Sequence, residues 1–377
     1  MRRSLFLILG VLAFYHVSYA RWLEVSGVAA SLEETELGGS RVVIEYDLDA
    51  DGITPESPAY VFVRCSGDSG STWGLIPHEY LSGRGSPIVE SGGHKRIFWW
   101  GVGQTGLPSL ERMSFQVRAI RMVRVPAGEF VMKSTPGGGY DSERIGNRVS
   151  SLEEFYMAKF ETTVSMYVDY LNEIGRDGAG WSPQMSDTLR CGIEQTGASA
   201  AYSYRIMPGR ENYPVTSVSW YDAVAFLHWC GLHLPGEAQW EKAWRGGKFL
   251  DGDSLQQQPN PLPERKFPWG DESPAGETVF RCNGRGEEDG FAHTAPLGSF
   301  PEYNSPYGAC DLAGNVAEWT IDWYTTTYHV DLDGIRMVRG GSWRSFSSGL
   351  DAISGATNMP LGENGIMGFR GVFEFLK

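Results

Sequence analysis

The sequence predicts an α+β protein made of two unlike parts, and three observations predict it. Short alternating apolar runs between clusters of Gly, Pro and Ser predict a small all-β, sandwich-like module over residues 21–120. Helical apolar patterns follow between residues 167 and 247. The last third of the chain is rich in Gly, Asn, Asp and Trp but has little periodicity. Residues 121–377 are therefore expected to form a mixed domain with a long irregular region.

The predicted β module contains four strand-like runs. Their side chains alternate or are continuously apolar, and turn residues separate them, as in a small sandwich. No pair of titratable groups in this part suggests catalysis. The runs read "RVVIEYDL", "AYVFVRCS", "KRIFWWGV" and "MSFQVRAI".

Three helices are predicted in the second part. Apolar residues recur at helical spacing over residues 167–174, and Gly175 ends that run. Ser219 can cap a second helix that stops at Gly231. The segment "PGEAQWEKAWRGG" predicts a third helix, with two tryptophans on one face.

The N-terminus predicts export. Residues 1–20 have a basic start, an apolar run and the small-x-small end Ser18-Tyr19-Ala20, which is typical of a cleaved signal peptide. The apolar run is too short for a stable membrane span, although an uncleaved N-terminal anchor is the alternative. The expected location is the periplasm, the cell surface or the medium.

Charge and cysteine content narrow the classes of partner. The full chain has 32 Lys and Arg against 46 Asp and Glu. Loss of Arg2 and Arg3 leaves 30 against 46, a net charge of −16. Nucleic acid is a poor partner for such a chain, because its phosphates would be repelled.

Five cysteines at irregular spacing do not form a disulfide framework, although one or two disulfides are possible after export.

Nine short segments, taken in order from Met122 to Phe373, resemble the formylglycine-generating enzyme (sulfatase-modifying factor) family. The resemblance implies an irregular variant of the C-type lectin fold with structural calcium, preceded here by the added β module. In the family, the enzyme oxidises a sulfatase cysteine to formylglycine. The segments are "MVRVPAGEFVM", "KFETTVSMYVDYL", "YPVTSVSWYDAVAFLHWCG", "LPGEAQWEKAWRGG", "FPWGDE", "DGFAHTAPLGSF", "YGACDLAGNVAEWTIDWY", "RGGSW" and "GFRGV".

A first calcium loop is implied in "YGACDLAGNVAEW". Asp311 and Glu318 offer carboxylate oxygens, and Gly314 and Val316 between them could offer backbone carbonyls, a mixture that calcium favours. The family places calcium at these four positions. Asp311 stands where the family usually has Asn, which keeps an oxygen ligand and adds charge. The alternative is a turn with capping carboxylates.

A second calcium loop is implied in "CNGRGEEDGF". By the resemblance, Asn283 and Asp289 would give side-chain oxygens, and Gly284 and Phe291 would give backbone carbonyls. The loop is short and strongly acidic. A solvated acidic loop without metal is the alternative.

The family's active site is expected to have lost its thiols in this chain. Two family cysteines, which hold copper and engage the substrate thiol, follow the motif matched by Gly340-Gly341-Ser342. Counting without a gap places Ser345 and Leu350 at those positions. Soft Cu(I) favours thiolates, so a hydroxyl and an alkyl chain cannot replace them. Copper is therefore not expected, and no catalytic residue is assigned.

The cleft that remains is expected to bind rather than react. Arg344, Ser345, Phe346 and Ser347 should lie on its exposed face, where Arg and Phe are effective recognition residues. The sequence thus favours a pseudoenzyme, a calcium-stabilised binding protein for a peptide, protein or glycan. A formylglycine-generating oxidase, or a related oxidoreductase using other ligands, is the alternative. A surface scaffold assembled through the β module is a third possibility.

Overall fold

A computed structural model describes eight stretches of the chain. The predicted signal peptide lies outside them. Within them, no helix has the length and apolar character needed to cross a membrane. The stretches are residues 22–34, 40–48, 51–83, 87–100, 112–133, 148–252, 256–324 and 334–375.

The described residues form many short strands and three α-helices, which confirms the α+β class. Four short 3-10 helices connect them, at His78–Tyr80, Pro183–Ser186, Pro301–Tyr303 and Ser347–Gly349. The strands are β1 (Val25–Glu34), β2 (Ser40–Leu48), β3 (Ala59–Ser66), β4 (Gly74–Ile76), β5 (Leu81–Ser82), β6 (Ile88–Val89), β7 (Gly93–Trp99), β8 (Ser114–Val125), β9 (Gly128–Met132), β10 (Arg148–Leu152), β11 (Phe155–Ala158), β12 (Ile193–Thr196), β13 (Ser203–Ile206), β14 (Ala317–Trp323), β15 (Arg336–Arg339), β16 (Ala356–Asn358), β17 (Met367–Gly368) and β18 (Val372–Phe373).

The N-terminal strands build two facing sheets, and the four predicted runs become β2, β3, β7 and β8. One sheet has the antiparallel order β1-β2-β7-β5, and in the other β3 pairs with β4, β6 and β8. Apolar side chains of both sheets share one core, including Val42, Ile44, Val61, Val63 and Ala119. This sandwich follows from period-two alternation, which directs every second side chain inward.

Strand β8 joins the two parts of the molecule. Its first half pairs with β3 over Ser114 to Arg121, and its second half pairs with β11 over Met122 to Val125. Residue 120, the predicted boundary, lies inside this strand. Tyr60 of β3 also belongs to the same hydrophobic core as the first two helices.

Ionic contacts reinforce this junction. Arg64 of β3 is 3% exposed. Its guanidinium donates to the Trp229 carbonyl at 2.7 Å and pairs with the Glu173 carboxylate. Arg118 of β8 pairs with Asp169 at 2.5 Å. These pairs link the N-terminal sheet to the helical face of the second part, and the buried Arg64 in particular needs its carboxylate partner.

The three predicted helices are confirmed with their caps. Helix α1 (Val164–Ile174) begins after Thr163, whose hydroxyl accepts from the Met166 amide at 3.0 Å, and it ends at Gly175. Helix α2 (Trp220–Cys230) starts with a capping box between Ser219 and Asp222. It stops at Gly231, which has the left-handed φ of 77°.

Helix α3 (Glu237–Arg245) directs its apolar side into the second core. Trp240 and Trp244 are fully buried, with ring centroids 4.8 Å apart. Among residues 246–252 and 256–316, the structure has no α-helix or strand of its own. The expectation of a long irregular region is met there. Loops of that region reach the chain that follows β15, where the Gly314 amide donates to the Gly340 carbonyl at 3.0 Å and the Arg285 amide donates to the Ser345 carbonyl at 3.0 Å.

Candidate functional site

The candidate site begins where β15 ends, at a buried arginine. Arg339 is 1% exposed, and its guanidinium lies 3.2 Å from the Glu237 carboxylate and 3.4 Å from that of Glu241. Both glutamates come from α3. The pairs fix the end of β15 against this helix, so the chain leaves the sheet at a defined point.

Two glycines then turn the chain sharply. Gly340 and Gly341 have φ values of 91° and 68°, a region that side chains other than glycine rarely adopt. A Cβ at Gly340 would lie 2.5 Å from the Leu312 carbonyl oxygen, and one at Gly341 would lie 2.5 Å from that of Gly349. Space and backbone conformation therefore both require glycine here.

The following turn positions Ser345 and Leu350, the two residues that are expected at the family's cysteine positions. The Ser345 hydroxyl accepts from the Ser342 amide at 3.0 Å, and the Ser345 amide donates to the Ser342 carbonyl at 2.8 Å. Leu350 follows a short 3-10 helix and is 2% exposed. The two positions thus carry a hydroxyl held by its own turn and a buried alkyl chain.

Ser345 and Leu350 line one cavity of about 90 Å³, called here the Ser345 cavity. Phe346 and Ser347 line it too, whereas Arg344 does not. Arg344 is exposed beside it, and its guanidinium lies 5.8 Å from the Trp343 ring. Three of the four predicted cleft residues thus line the cavity. The other lining residues, besides Leu350, are Pro274, Ala275, Phe280, Cys282, Gly284, Arg285, Glu288 and Asp289.

Cys282 is the single cysteine among the lining residues. Burial, and then the charges of Asp289 and Asp311, raise the pKa of its thiol. The thiol therefore stays protonated at neutral pH and is a poor nucleophile or metal ligand. All five cysteines lie within the described residues and are free. The structure therefore contains no disulfide, although one or two are possible from the sequence.

Arg285 is a site residue that the sequence reasoning missed. Its amide donates to the Ser345 carbonyl at 3.0 Å, which ties the acidic loop to the turn. Its guanidinium lies 4.1 Å from the centroid of the Phe346 ring, which is 63% exposed. A single cation within the acidic run "GRGEEDG" was the available signal. Its meaning depends on Phe346, which is distant in sequence.

The first predicted calcium loop centres on a buried ion pair. Glu318 accepts from Arg370 at 2.7 and 2.9 Å and from the Trp240 ring nitrogen at 3.1 Å. Asp311 accepts from the Gly298 amide at 2.7 Å. Desolvation raises the pKa of Asp311 to about 6, although part of the residue reaches the surface. Glu318 is thus committed to Arg370 rather than presented as a free ligand.

A further carboxylate, which the sequence reasoning missed, adjoins this loop. Glu161 is 1% exposed and accepts from the Asn315 side chain at 2.7 Å and from the Val316 amide at 3.2 Å. Burial, followed by the charges of Asp311 and Glu318, raises its pKa. When all three carboxylates are ionised beside Arg370, the excess charge is −2, which a divalent cation would balance.

The second predicted calcium loop suits a cation with oxygen ligands better than the first loop does. Asn283 is 1% exposed, and its side-chain nitrogen donates to the His293 carbonyl at 2.8 Å and to Asn315 at 3.0 Å. Its side-chain oxygen is buried and has no hydrogen-bond partner. A buried side-chain oxygen normally accepts a hydrogen bond. Because this one accepts none, it suits a hard cation as its partner.

Asp289 closes the same loop. Its carboxylate accepts from the Gly284 and Phe291 amides, each at 2.9 Å. Burial raises its pKa above the usual value. The loop thus brings together the four residues that the resemblance implied. Within the described stretches, no three His, Cys, Asp or Glu side chains already form a metal-binding group, so carbonyl and amide oxygens would have to complete the shell.

Comparison with known families decides the relationship. Residues 110–375 match the model of the sulfatase-modifying factor enzyme 1-like domain. The chain belongs to this family. The match covers most of the chain, starts before β8 and includes every predicted site residue. It confirms the resemblance and, with it, the sulfatase-modifying-factor fold.

Known members of the family include proteins named as enzymes and proteins named as inactive. The chain is 33% identical over 242 residues to the formylglycine-generating enzyme of Mus musculus, covering 56% of this chain and 60% of that protein. The chain thus matches less than two thirds of that relative. It is 32% identical over 267 residues to the inactive C-alpha-formylglycine-generating enzyme 2 of Bos taurus, covering 64% and 80%. PvdO from Pseudomonas aeruginosa superposes with a TM-score of 0.49 and 21% identity, covering 68% of this chain and 95% of PvdO.

Proposed function

We propose that this chain is an exported, calcium-stabilised, non-catalytic binding protein whose cleft recognises a peptide, protein or glycan. One observation carries the proposal. The cavity at the family's thiol positions is lined by Ser345 and Leu350, and Cys282 is the single cysteine among its lining residues.

The donor set does not suit copper-dependent oxidation. A copper centre of this kind needs two thiolates, since Cu(I) is soft and prefers sulfur ligands. Ser345 offers a hard hydroxyl already bonded to the Ser342 amide, and Leu350 offers no donor atom. The remaining thiol, Cys282, is held protonated by burial. We therefore assign no catalytic residue and expect no bound copper.

The surroundings of the cavity suit recognition instead. Phe346 and Ser347 are exposed beside it, with Arg344 on the same turn. The turn itself is held by buried pairs of Arg339, so the exposed residues stand on a rigid base. The relative named as inactive supports the idea that this fold persists without the reaction.

Calcium is proposed mainly for the loop of Asn283, Gly284, Asp289 and Phe291. When bound there, calcium would supply positive charge to an acidic loop and satisfy the buried Asn283 oxygen. Since Arg285 in the same loop bonds the Ser345 carbonyl, the loop forms part of the cavity wall. At Asp311, Gly314, Val316 and Glu318, a second ion would have to compete with Arg370 for Glu318.

The binding role can be tested with peptide display and a glycan array. Each is probed with the wild-type chain and with the Arg344→Ala, Phe346→Ala double variant. We expect ligands that bind the wild type and lose about tenfold or more in affinity with the variant, as truncation of recognition residues typically does. Ligands that bind both proteins equally would place recognition elsewhere and contradict the proposal. Melting temperatures of both proteins show whether the fold is unchanged.

A further inference from the structure

The guanidinium of Arg285 is held in place without a carboxylate partner. It stacks on Phe346, and within the described residues no carboxylate lies at ion-pair distance from it. Glu288 turns back to the Glu287 amide, and Asp289 accepts two backbone amides. Stacking on a ring leaves the edge of the guanidinium free to donate two parallel hydrogen bonds. This arrangement is suited to a carboxylate.

The floor of the Ser345 cavity is apolar and small. Leu350, Phe280 and Cys282 line it, and its volume is about 90 Å³. That space equals about three water molecules, which is sufficient for a short aliphatic side chain. Leu350 and Phe280 would give such a side chain apolar contacts.

A second basic and aromatic group lies on the same turn. The Trp343 ring has the Arg190 guanidinium at 5.7 Å and the Arg344 guanidinium at 5.8 Å. Arg344 is exposed, and within the described residues it has no ion-pair partner. Arg285 and Arg344 are thus two cations without an ion-pair partner among the described residues, beside a cavity whose lining also includes the carboxylates of Glu288 and Asp289. Since both carboxylates accept backbone amides, the two arginines favour an acidic group on the ligand.

We propose that the Ser345 cavity receives one aliphatic side chain of a peptide, while a neighbouring carboxylate of that peptide binds Arg285. The proposal rests on the non-catalytic binding function and names its ligand class. Arg285 acts as the carboxylate clamp, Phe346 orients it, and Leu350 forms the floor. Glu288 lines the same cavity and opposes the carboxylate, so it lowers the affinity.

Defined peptide pools test the ligand class with the full processed chain in calcium. Each pool is acetylated and amidated, has a central Leu, and carries Glu, Gln or Lys at the neighbouring positions. We expect the Glu pool to bind about tenfold more tightly than the Gln pool, as for a hydrogen bond to a charged group. The Lys pool should bind most weakly. Equal binding of the Glu and Gln pools, or preference for Lys, would overturn the proposal.

Matched variants locate the effect. Arg285→Gln should remove the preference for Glu, and Glu288→Gln should increase the affinity for the Glu pool. Arg205→Gln removes a cation that is 68% exposed and paired with Glu194, and it should leave the preference unchanged. A preference that survives in Arg285→Gln would contradict the clamp. An affinity that Glu288→Gln leaves unchanged would contradict binding in this cavity.

Binding measurements with glycans distinguish a failure of the peptide proposal from a failure of the proposed binding function. If only glycans bind, and they lose affinity in the Arg344→Ala, Phe346→Ala variant, the cleft is a binding site but the peptide proposal is wrong. If peptides bind without charge preference and depend on Phe346, the same conclusion holds. If neither pools nor glycans bind, both the peptide proposal and the binding function are contradicted.

Discussion

Arg339 and Arg344 lie on the two sides of the same Gly-Gly turn and have opposite environments. Arg339 is 1% exposed and contacts two buried carboxylates. Arg344 is exposed, and among the described residues no carboxylate pairs with it. The buried side fixes the turn against helix α3, whereas the exposed side is available for contacts with a ligand. Substitutions should therefore separate stability from recognition within one short stretch.

The largest expected effect comes from the buried side. Arg339→Met leaves the Glu237 and Glu241 carboxylates buried with less positive charge nearby. It should lower the free energy of unfolding by about 3–5 kcal/mol, as expected when one partner of a buried pair is removed. Denaturant unfolding measures this. Arg344→Met is the matched control and should change stability by no more than about 0.5 kcal/mol. Equal losses of unfolding free energy in the two variants would contradict the distinction between the buried and the exposed side of the turn.

Calcium should have the next largest effect, because the proposed ion would support the loop that forms the cavity wall. At about 100 times its dissociation constant, it should raise the free energy of unfolding by about 2.7 kcal/mol. Chelator should therefore lower the melting temperature, and Asp289→Asn should remove most of that response. Glu318→Ala is a poorer probe, because it also leaves Arg370 unpaired. A melting temperature that does not change with chelator would show that this loop needs no metal.

Introducing cysteines at positions 345 and 350 tests whether these two positions lie side by side in the cavity. Ser345→Cys with Leu350→Cys should cost about 1–2 kcal/mol, mainly from the smaller side chain at the buried position 350. The double variant should gain Cu(I) binding in competition with a colorimetric chelator, since two soft ligands then line one cavity. Ser345→Cys alone is the control and should bind far less. Failure of the folded double variant to bind copper would contradict the placement of these two positions.

The smallest effect on stability is expected at the rim. Arg344→Ala with Phe346→Ala removes two exposed side chains and should change the free energy of unfolding by less than about 0.5 kcal/mol. Calorimetric melting of the wild type and the variant measures the difference. A loss of several kcal/mol would mean that these residues support the fold, and any loss of binding would then have another explanation.

Local patterns predicted much of this molecule. The helix α2 could be read from Ser219 to Gly231, because a capping box and a left-handed glycine are short-range signals. The strands of the sandwich followed from alternation. The turn at Gly340 and Gly341 could be placed through the family's motif. The structure gives the physical reason for the two glycines, because a Cβ at either position would clash with a backbone carbonyl oxygen.

Long-range relations could not be predicted in the same way. Nothing near residue 120 indicates that β8 continues past it to pair with β11. Arg285 and Phe346 are distant in sequence, and their contact exists only after two irregular loops meet. Glu161 likewise reaches Asn315 and Val316 from the segment before α1. Each of these depends on tertiary packing, for which a single sequence contains no local signal.

The cavity is proposed to bind without oxidising, and an assay for aldehyde formation separates these two functions. The unaltered chain is incubated with a sulfatase-type cysteine peptide, with and without added copper, and the peptide is then labelled with a hydrazide. We expect no labelling under either condition, since Ser345 and Leu350 supply no thiolate. Hydrazide-reactive peptide that depends on this chain would contradict the non-catalytic binding function and favour the oxidase instead.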